Sequence, residues 1–334
     1  MKLILVGFGN VGRGLVRALV QKRNFFLKEH GMSCEIVAVV DGHGAVVDEN
    51  GLSFRRLLRM VEEGNLIGSE RKLGVEIIRE VDADVVFELT PTNIKTGEPG
   101  LTHIKTAMRT GKSVITSNKG PLVVAFRELE ELAKKRGVEF RYSASVGGAV
   151  PVIGLAKRIL MGNEVLAIRG VLNGTTNYIL TRMAQEDAPF DIVLKEAQEL
   201  GIAEKDPSLD IQGIDTACKI TILANSVLGI DAKLGEVKTK GISGVTPEAI
   251  RLAREAGFTV KLVGIASKRT LEVGPKLVPI HHPLAVSGTL NAVTFEVDLA
   301  REITISGFGA GPRETSSSLL GDLVDVYQAI SQRG

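Results

Sequence analysis

Cysteine is scarce in this sequence of 334 residues, which contains only two. Cys34 and Cys218 each stand in an apolar context and form no CxxC pair. Such thiols behave as small hydrophobic side chains, and free cysteines are typical of the reducing cytosol. We therefore interpret both as reduced and buried, and no metal site follows from them.

The sequence also lacks a strong charge of one sign and a long apolar run, and we expect no cleavable leader. Lys and Arg number 41 and Asp and Glu 39, so the net charge of +2 argues against a nucleic-acid or anionic-membrane partner. No apolar run approaches the roughly 18 residues of a membrane span, and the strand-like N-terminus has no signal-peptide cleavage site. We expect a soluble, cytoplasmic protein without repeats, whose length suits two domains.

A glycine-rich turn follows the first predicted strand, residues 3–6, and precedes a long helical pattern. In a GxGxxG motif, glycines allow a tight turn and a close approach to a pyrophosphate, which lies at the helix N-terminus. The motif indicates dinucleotide binding, and a packing turn without a ligand is the alternative. It comprises Gly7, Phe8, Gly9, Asn10, Val11 and Gly12.

The second predicted strand, residues 35–40, ends at Asp41. An acidic residue at this place hydrogen-bonds the adenosine ribose in dinucleotide-binding folds, although Asp41 comes later than the usual spacing of about 20 residues. The alternative is that Asp41 only caps the turn behind it. Asp41 would favour NAD by repelling a 2′-phosphate, whereas His43, Arg55 and Arg56 could attract one, so we expect both NAD and NADP to be usable.

Strands and helices then alternate, with further strands at residues 84–89, 113–117 and 139–143 and helices near 103–109 and 122–136. This alternation predicts an α/β fold with a doubly wound parallel sheet of the Rossmann type, whose ligands bind at the C-terminal ends of the strands. Two polar loops lie there, one beginning at Thr90 and the other spanning residues 118–121.

From residue 165 the pattern changes to a second α+β domain with a mostly antiparallel sheet. Its strands are predicted at residues 165–173, 262–267, 272–280, 292–299 and 301–309, with a loop at 174–177, a helix at 178–183 and a final helix at 319–330.

The stretch from 197 to 219 concentrates the polar chemistry. Asp215 and Lys219 are four residues apart, so they share one side of a helix that is otherwise apolar. A buried Lys and carboxylate are either a structural ion pair or a tuned acid/base pair. A loop marked by Asp206-Pro207 brings Glu204 and Asp210 near them, and three carboxylates around one lysine are more than a structural pair needs.

This stretch resembles the signature of homoserine dehydrogenases, and the resemblance extends over nearly the whole chain. The matching positions are Ala197, Gly201, Ile202, Ala203, Asp206, Pro207, Asp210, Ile211, Gly213, Asp215 and Lys219. It implies reversible oxidation of L-homoserine to L-aspartate 4-semialdehyde with NAD or NADP, in threonine and methionine biosynthesis. Two rivals remain: a non-catalytic NAD(P)-sensing protein, and another amino-acid or semialdehyde reductase with the same two domains.

The resemblance also implies roles for particular residues. Catalysis would use Lys219, Asp215 and Lys119, and the substrate would be held by Glu204, Asp210, Thr175 and Thr176. Besides the glycine turn and Asp41, the cofactor would contact Thr90, Lys119, Gly309 and Gly311. For Lys119, a solvated surface lysine is the alternative.

A sodium site is a further expectation that comes from the family resemblance. The carbonyls of Val146, Gly148 and Val150 correspond to a sodium site, but Ser143 stands where a carboxylate is expected, and close hinge packing explains the glycines equally well. His281 and His282 are adjacent in a predicted strand, so they point to opposite faces and cannot both bind one metal.

The expected domains are residues 1–143 for the cofactor, 144–311 for substrate binding and dimerisation, and 312–334 as a C-terminal helix that returns to the cofactor domain. We expect a homodimer formed by the second domain. We expect no C-terminal regulatory domain.

Overall fold

The fold is taken from a computed structural model that describes residues 1–66 and 73–332. The chain divides into two compact units, one formed by Met1–Ala149 with Gly311–Gly334 and the other by Val150–Ala310. From the sequence we predicted these boundaries after residues 143 and 311, whereas the units divide after residues 149 and 310. Residues 333 and 334 of the expected C-terminal segment lie outside the described residues. Within the described residues, no helix is both long and apolar enough to cross a membrane.

The first unit contains a six-stranded sheet, in which all neighbouring strands are parallel except one pair. The predicted Rossmann-type parallel sheet is thereby confirmed, and its antiparallel edge strand was not predicted. In the order β3-β2-β1-β4-β5-β6, the strands are β1 (Lys2–Val6), β2 (Glu35–Asp41), β3 (Gly44–Val47), β4 (Val85–Glu88), β5 (Ser113–Thr116) and β6 (Phe140–Arg141).

Helices flank this sheet, and the central strands are buried along their whole apolar length. The runs 3–6, 37–40 and 85–87 are each at most 2% exposed, as expected for parallel strands covered on both faces. The helices before the second unit are α1 (Asn10–His30), α2 (Phe54–Glu63), α3 (Gly74–Glu80), α4 (Gly100–Arg109) and α5 (Lys119–Arg136).

Two elements of the first unit differ from the prediction for local reasons. Helix α5 begins three residues earlier than predicted, because the Asn118 side chain caps it by accepting a hydrogen bond from the Gly120 amide at 3.0 Å. The strand predicted at 139–143 is only two residues long, because the chain turns at Tyr142 into a single 3₁₀ turn, Ser143–Ser145.

The second unit contains a six-stranded sheet that is antiparallel except for one short edge pair, which confirms the predicted mostly antiparallel domain. In the order β12-β11-β7-β9-β10-β8, its strands are β7 (Val165–Val171), β8 (Lys238–Thr239), β9 (Phe258–Ser267), β10 (Leu271–Pro279), β11 (Leu290–Val297) and β12 (Arg301–Phe308). Strand β8 was not predicted.

The helices of the second unit are mostly short. They are α6 (Val152–Gly154), which continues into a π-helical turn (Leu155–Ile159), then α7 (Gly174–Glu186), α8 (Phe190–Glu199), α9 (Ser208–Ile211), α10 (Ile214–Leu228) and α11 (Pro247–Glu255). The predicted loop at 174–177 is wrong. Those residues form the first turn of α7, because Asn173 caps the helix by accepting from the Thr176 amide at 2.9 Å.

Helix α10 is the most buried of these helices, and it lies directly against β9. A Cβ atom at Gly264 of β9 would lie 2.5 Å from the Ile220 side chain, so only glycine allows this approach. Nine consecutive residues, from Thr216 to Ala224, are buried. Lys219 is among them, so the fold places a lysine inside an apolar helix–sheet interface.

After the second unit the chain forms α12 (Pro312–Ser331), which belongs to the first unit and packs against α1. Asp322 of α12 accepts hydrogen bonds from the Ser143 amide at 2.9 Å and the Ser143 hydroxyl at 2.7 Å. Burial raises the pKa of the Asp322 carboxyl to about 6, despite these two hydrogen bonds. The helix therefore anchors the 3₁₀ turn through a buried acidic group.

We expect Asp322 to make folding stability depend on pH. Because its folded pKa of about 6 exceeds the value of 3.8 for an unperturbed Asp, its contribution is complete below about pH 4 and is lost as pH rises through about 6. Between pH 4 and pH 7 the unfolding free energy of the unmodified protein should fall relative to Asp322→Asn by roughly 2 to 3 kcal/mol. Urea unfolding of both proteins across this range measures it, and a pH-independent difference would contradict the assignment.

Candidate active site

The turn between β1 and α1 requires glycine on steric grounds. Gly7 has a φ of +109°, and a Cβ there would lie 2.6 Å from the Leu89 carbonyl group. A Cβ at Gly12 would lie 2.2 Å from the Gly7 carbonyl oxygen. Gly9 caps α1, and within the described residues no side chain satisfies the first amides of that helix. These amides and the helix dipole provide a site for a pyrophosphate.

Asp41, at the C-terminal end of β2, has contacts of its own. Its Oδ1 accepts hydrogen bonds from the amides of His43 at 2.7 Å and Gly44 at 3.2 Å. These are the contacts that a turn-capping role predicts. Because both bonds go to Oδ1, they are compatible with a second role for Oδ2.

The C-terminal ends of β4 and β5 are joined by a buried network around Glu88, which is 0% exposed. The Thr90 amide donates to Glu88 Oε1 at 3.2 Å, and the Thr90 hydroxyl also donates to this oxygen. Thr116 Oγ1 donates to the Glu88 carbonyl at 2.8 Å, and Asn118 Nδ2 donates to Thr90 Oγ1 at 3.3 Å. One carboxylate thus orders both polar loops at the edge where dinucleotide-binding folds hold their ligand.

Sequence reasoning missed Glu88 and Asn118 as site residues. The available signal was a carboxylate that ends an apolar strand, two residues before the Thr90 loop. Lys119 follows the capping Asn118 as the first residue of α5, and it is half-buried rather than fully solvated.

In the second unit, Lys219 lies at the centre of a polar cluster. Its Nζ is 2.8 Å from Asp215 Oδ2 and donates to the Leu172 carbonyl at 2.5 Å, and the residue is 8% exposed. The side chain of Asn173 joins the two aspartates, since its Nδ2 donates to Asp210 Oδ1 at 2.7 Å and to Asp215 Oδ2 at 3.0 Å. The structure therefore brings together Asp210, Asp215 and Lys219, and adds Asn173.

The electrostatics of this cluster favour a cationic ligand. Two carboxylates face one lysine, which leaves a formal excess of one negative charge if all three are ionised. Burial and the proximity of Asp215 raise the pKa of Asp210, while the Asn173 amide and Lys219 act in the opposite direction. A bound ammonium group would relieve the repulsion between the carboxylates.

Of the other expected substrate residues, Thr175 and Thr176 lie beside this cluster, since Thr175 hydrogen-bonds Asp210 and Thr176 hydrogen-bonds Asn173. Glu204 is exposed, and within the described residues no hydrogen bond or ion pair joins its carboxylate to the cluster. The Thr175 hydroxyl donates to the Ile202 carbonyl at 3.0 Å. Thr176 is buried and hydrogen-bonds Asn173 at 2.9 and 3.0 Å, so it holds the cap of α7.

Each of the two glycines assigned to the cofactor stands close to a neighbouring side chain. A Cβ at Gly309 would lie 1.9 Å from Nδ2 of Asn291, and a Cβ at Gly311, with a φ of +126°, would lie 2.1 Å from Glu314 Oε2. Asn291 is buried, and neither polar atom of its side chain has a partner among the described residues. These unpaired atoms belong to strand β11 and lie against Gly309.

Some of the groups assigned to sodium already take part in hydrogen bonds. The Gly148 carbonyl already accepts a hydrogen bond from the Ser318 hydroxyl, the Val150 carbonyl accepts one from the Val152 amide at 2.8 Å, and Ser143 is bonded to Asp322. Val146 is fully buried. Across residues 1–66 and 73–332, no group of three or more His, Cys, Asp and Glu side chains could hold a metal.

Comparisons with known proteins agree for both units. Residues 7–143 match the family model described as the homoserine dehydrogenase NAD binding domain, and residues 151–324 match the model described as homoserine dehydrogenase. A homoserine dehydrogenase of Methanocaldococcus jannaschii is 50% identical over 334 residues, covering 98% of this chain and 99% of that protein.

Two further relatives extend the comparison. An NAD(+)-dependent homoserine dehydrogenase of Pseudomonas canavaninivorans is 36% identical, covering 99% of this chain and 97% of that protein. The crystal structure of a provisionally assigned homoserine dehydrogenase from Archaeoglobus fulgidus is 43% identical, with a TM-score of 0.92 over 98% of this chain and 99% of that chain. The chain therefore belongs to the homoserine dehydrogenase family of NAD(P)-dependent oxidoreductases.

Proposed function

We propose that the protein oxidises L-homoserine reversibly to L-aspartate 4-semialdehyde with the residues described above in defined roles. The observation that carries the proposal is the ion pair of the buried Lys219 with Asp215, joined to Asp210 through Asn173. A spectrophotometric assay of NAD(P)H formation with L-homoserine and a panel of other amino alcohols tests it. No activity with homoserine, or equal activity across the panel, would contradict it.

The roles follow from the chemistry of alcohol oxidation. The oxidised cofactor, when bound, supplies the hydride acceptor, and the substrate must lose a hydride from the carbon that bears the hydroxyl and a proton from the hydroxyl oxygen. Lys219 takes that proton when its amine is neutral, and returns it in the reverse reaction. Asp210, with Glu204 from the neighbouring loop, holds the ammonium group of homoserine.

Lys219 is held by two fixed acceptors, since its Nζ lies 2.8 Å from Asp215 Oδ2 and donates to the Leu172 carbonyl at 2.5 Å. We propose that Asp215 and the Leu172 carbonyl orient the amine toward the substrate. Two N–H groups of the neutral amine donate to the Leu172 carbonyl and to Asp215. The lone pair of the amine is then left to accept the proton of the substrate hydroxyl.

For the cofactor, we propose that the amides at the start of α1 hold the pyrophosphate. Asp41 Oδ2 accepts from the adenosine ribose, while Oδ1 keeps its turn contacts. Thr90, Lys119, Gly309 and Gly311 complete the cofactor contacts. The Glu88 network keeps Thr90 in place for this purpose.

Of the two rivals, a non-catalytic NAD(P) sensor has no use for a buried lysine with two nearby carboxylates. It predicts cofactor binding that does not depend on Lys219 and no turnover. Another reductase with the same two domains predicts that a different amino alcohol is preferred in the substrate panel. The same assay therefore separates all three.

Asp41→Ala should shift cofactor use toward NADP, because the variant removes both the ribose acceptor and the charge that repels a 2′-phosphate. We expect the ratio of kcat/KM for NADP to that for NAD to rise roughly tenfold or more, the effect of about one charge-assisted hydrogen bond. Asp48→Ala is the matched control, since Asp48 Oδ1 caps the next turn through the Asn50 amide at 3.0 Å. An unchanged ratio in Asp41→Ala would leave Asp41 with the turn-capping role alone.

We also propose a homodimer formed through the sheet of the second unit. Strand β12 is an edge strand with no fully buried residue, and its Phe308 is 58% exposed. A second copy of the chain would cover this surface, as symmetric dimers commonly do. Light scattering at micromolar concentration should give twice the mass of one chain, and a monomeric mass would contradict the proposal.

A further inference from the structure

The first unit contains a cavity of about 400 Å³ whose position differs from that of the cofactor residues. Its walls come from the second half of α1, the starts of β1 and β2, and the segment that leads into α2. The glycine turn, Asp41 and Thr90 follow the opposite, C-terminal ends of the parallel strands. The floor is apolar and buried, and consists of Leu3, Leu19, Phe26, Met32, Ile36 and Leu57.

The rim of this cavity carries two solvent-exposed groups of opposite charge, Arg23 and Glu35. The guanidinium carbon of Arg23 lies 4.6 Å from the centre of the Phe54 ring. Within residues 1–66 and 73–332, neither Arg23 nor Glu35 has an ion-pair partner, although both line the cavity. A cation and an anion thus border one apolar cavity without neutralising each other.

This combination defines the chemistry of a ligand. The volume of the cavity is within the range of small-molecule sites, which combine apolar walls with a few polar groups that orient the ligand. An apolar body would cover the floor, a carboxylate would pair with the Arg23 guanidinium, and an ammonium group would pair with the Glu35 carboxylate. α-Amino acids with apolar side chains carry these three features together.

We propose that this cavity binds an α-amino acid with an apolar side chain, as a site separate from the one that performs the dehydrogenase reaction. Arg23 and Glu35 recognise its two charges, and the buried side chains of α1, β1 and β2 hold its apolar part. Cys34 lines the same cavity but gives no covalent chemistry, because burial raises the pKa of its thiol to about 11.

Calorimetric titration of the full-length protein with L-leucine, L-methionine and L-phenylalanine tests the proposal, in the presence of saturating L-homoserine so that the reaction site is occupied. We expect one amino acid bound per chain. Arg23→Gln and Glu35→Gln should each weaken binding at least about tenfold, the effect of losing one charge-assisted hydrogen bond. Arg17→Gln, an exposed arginine on the same helix that does not line the cavity, should leave binding unchanged.

Leucine analogues with one charge removed give a second comparison. 4-Methylpentanoate lacks the ammonium group, so Glu35→Gln should not change its affinity. 3-Methylbutylamine lacks the carboxylate, so Arg23→Gln should not change its affinity. Failure of all three amino acids to bind the unmodified protein would overturn the proposal, as would binding that neither Arg23→Gln nor Glu35→Gln weakens.

A fluorescent variant covers the case in which the charge substitutions fail to fold. The chain contains no tryptophan, so Phe54→Trp places a single indole beside Arg23 at the rim. Addition of L-leucine should change its emission with the same dissociation constant as in calorimetry. A signal that does not respond to any of the three amino acids would contradict the site.

Discussion

Lys219→Ala and Lys219→Arg should each lower turnover by roughly 10² to 10⁴, the usual range for loss of a general acid/base group. The alanine variant removes the amine that accepts the hydroxyl proton. The arginine variant keeps a positive charge beside Asp215, but a guanidinium stays protonated at any working pH and cannot take the proton. Because Lys219 belongs to the second unit, the dissociation constant for the cofactor should stay near that of the unmodified protein.

The measurement is steady-state turnover with homoserine, together with cofactor affinity by equilibrium titration. Lys205→Arg is the matched control, since Lys205 lies in the same stretch but is exposed. Asp215→Asn should lose less turnover than either Lys219 variant, because Asp215 orients the amine at 2.8 Å and does not itself take the proton. Near-normal turnover in Lys219→Arg would show that only a fixed charge is needed, with Lys119 and a bound water as the next candidates.

Much of this cluster could be predicted because its geometry is local. Asp215 and Lys219 are one helical turn apart, so an apolar helical pattern alone brings their side chains together. The glycine turn is equally local, since the collision that excludes a side chain at Gly12 is with Gly7 in the same motif. Patterns of this kind need no knowledge of distant contacts.

The parts that sequence reasoning missed depend on contacts between distant residues. Asn173 meets Asp210 and Asp215 only because β7 and α10 are neighbours in the folded unit. Glu88 orders Asn118 through Thr90 and Thr116, across two parallel strands. A spacing in sequence carries no signal for either contact, so both residues looked like ordinary strand or turn residues.

Helix starts were misplaced for a different reason. A polar cluster such as Asn173 to Asn177 is compatible with both a loop and a capped helix, and the hydrogen bond from Thr176 to the Asn173 side chain selects the helix. The same ambiguity affected Asn118 and the start of α5. In both places the capping side chain stands beside residues assigned to the reaction.

Asn173→Ser should lower kcat/KM for homoserine about ten- to a hundredfold while sparing the helix. The Asn173 side chain performs two tasks with different atoms: Oδ1 caps α7 through the Thr176 amide, and Nδ2 donates to Asp210 and Asp215. Serine can cap the helix but cannot bridge the aspartates. Loss of a donor shared by two carboxylates costs about 1.5 to 3 kcal/mol, which gives the expected loss in kcat/KM.

Asn173→Ala separates these two tasks, because it removes the cap as well as the bridge. Its kcat/KM should fall as far as that of the serine variant, while its unfolding free energy should be lower than that of the serine variant by about 1 kcal/mol, the typical value of an N-cap. Urea unfolding and steady-state kinetics of both variants measure the two effects independently. If the serine variant keeps normal kcat/KM, Asn173 is only a helix cap.

The pH dependence of the same variants distinguishes an electrostatic role from a structural one. The Asn173 amide lowers the pKa of Asp210, against the effects of burial and Asp215. Without the amide the pKa of Asp210 should rise, so Asp210 loses its charge at a higher pH and holds the substrate ammonium less well. The acidic limb of the kcat/KM profile should therefore move to higher pH in both Asn173→Ser and Asn173→Ala, and an unmoved limb would show that the amide does not set the charge of Asp210.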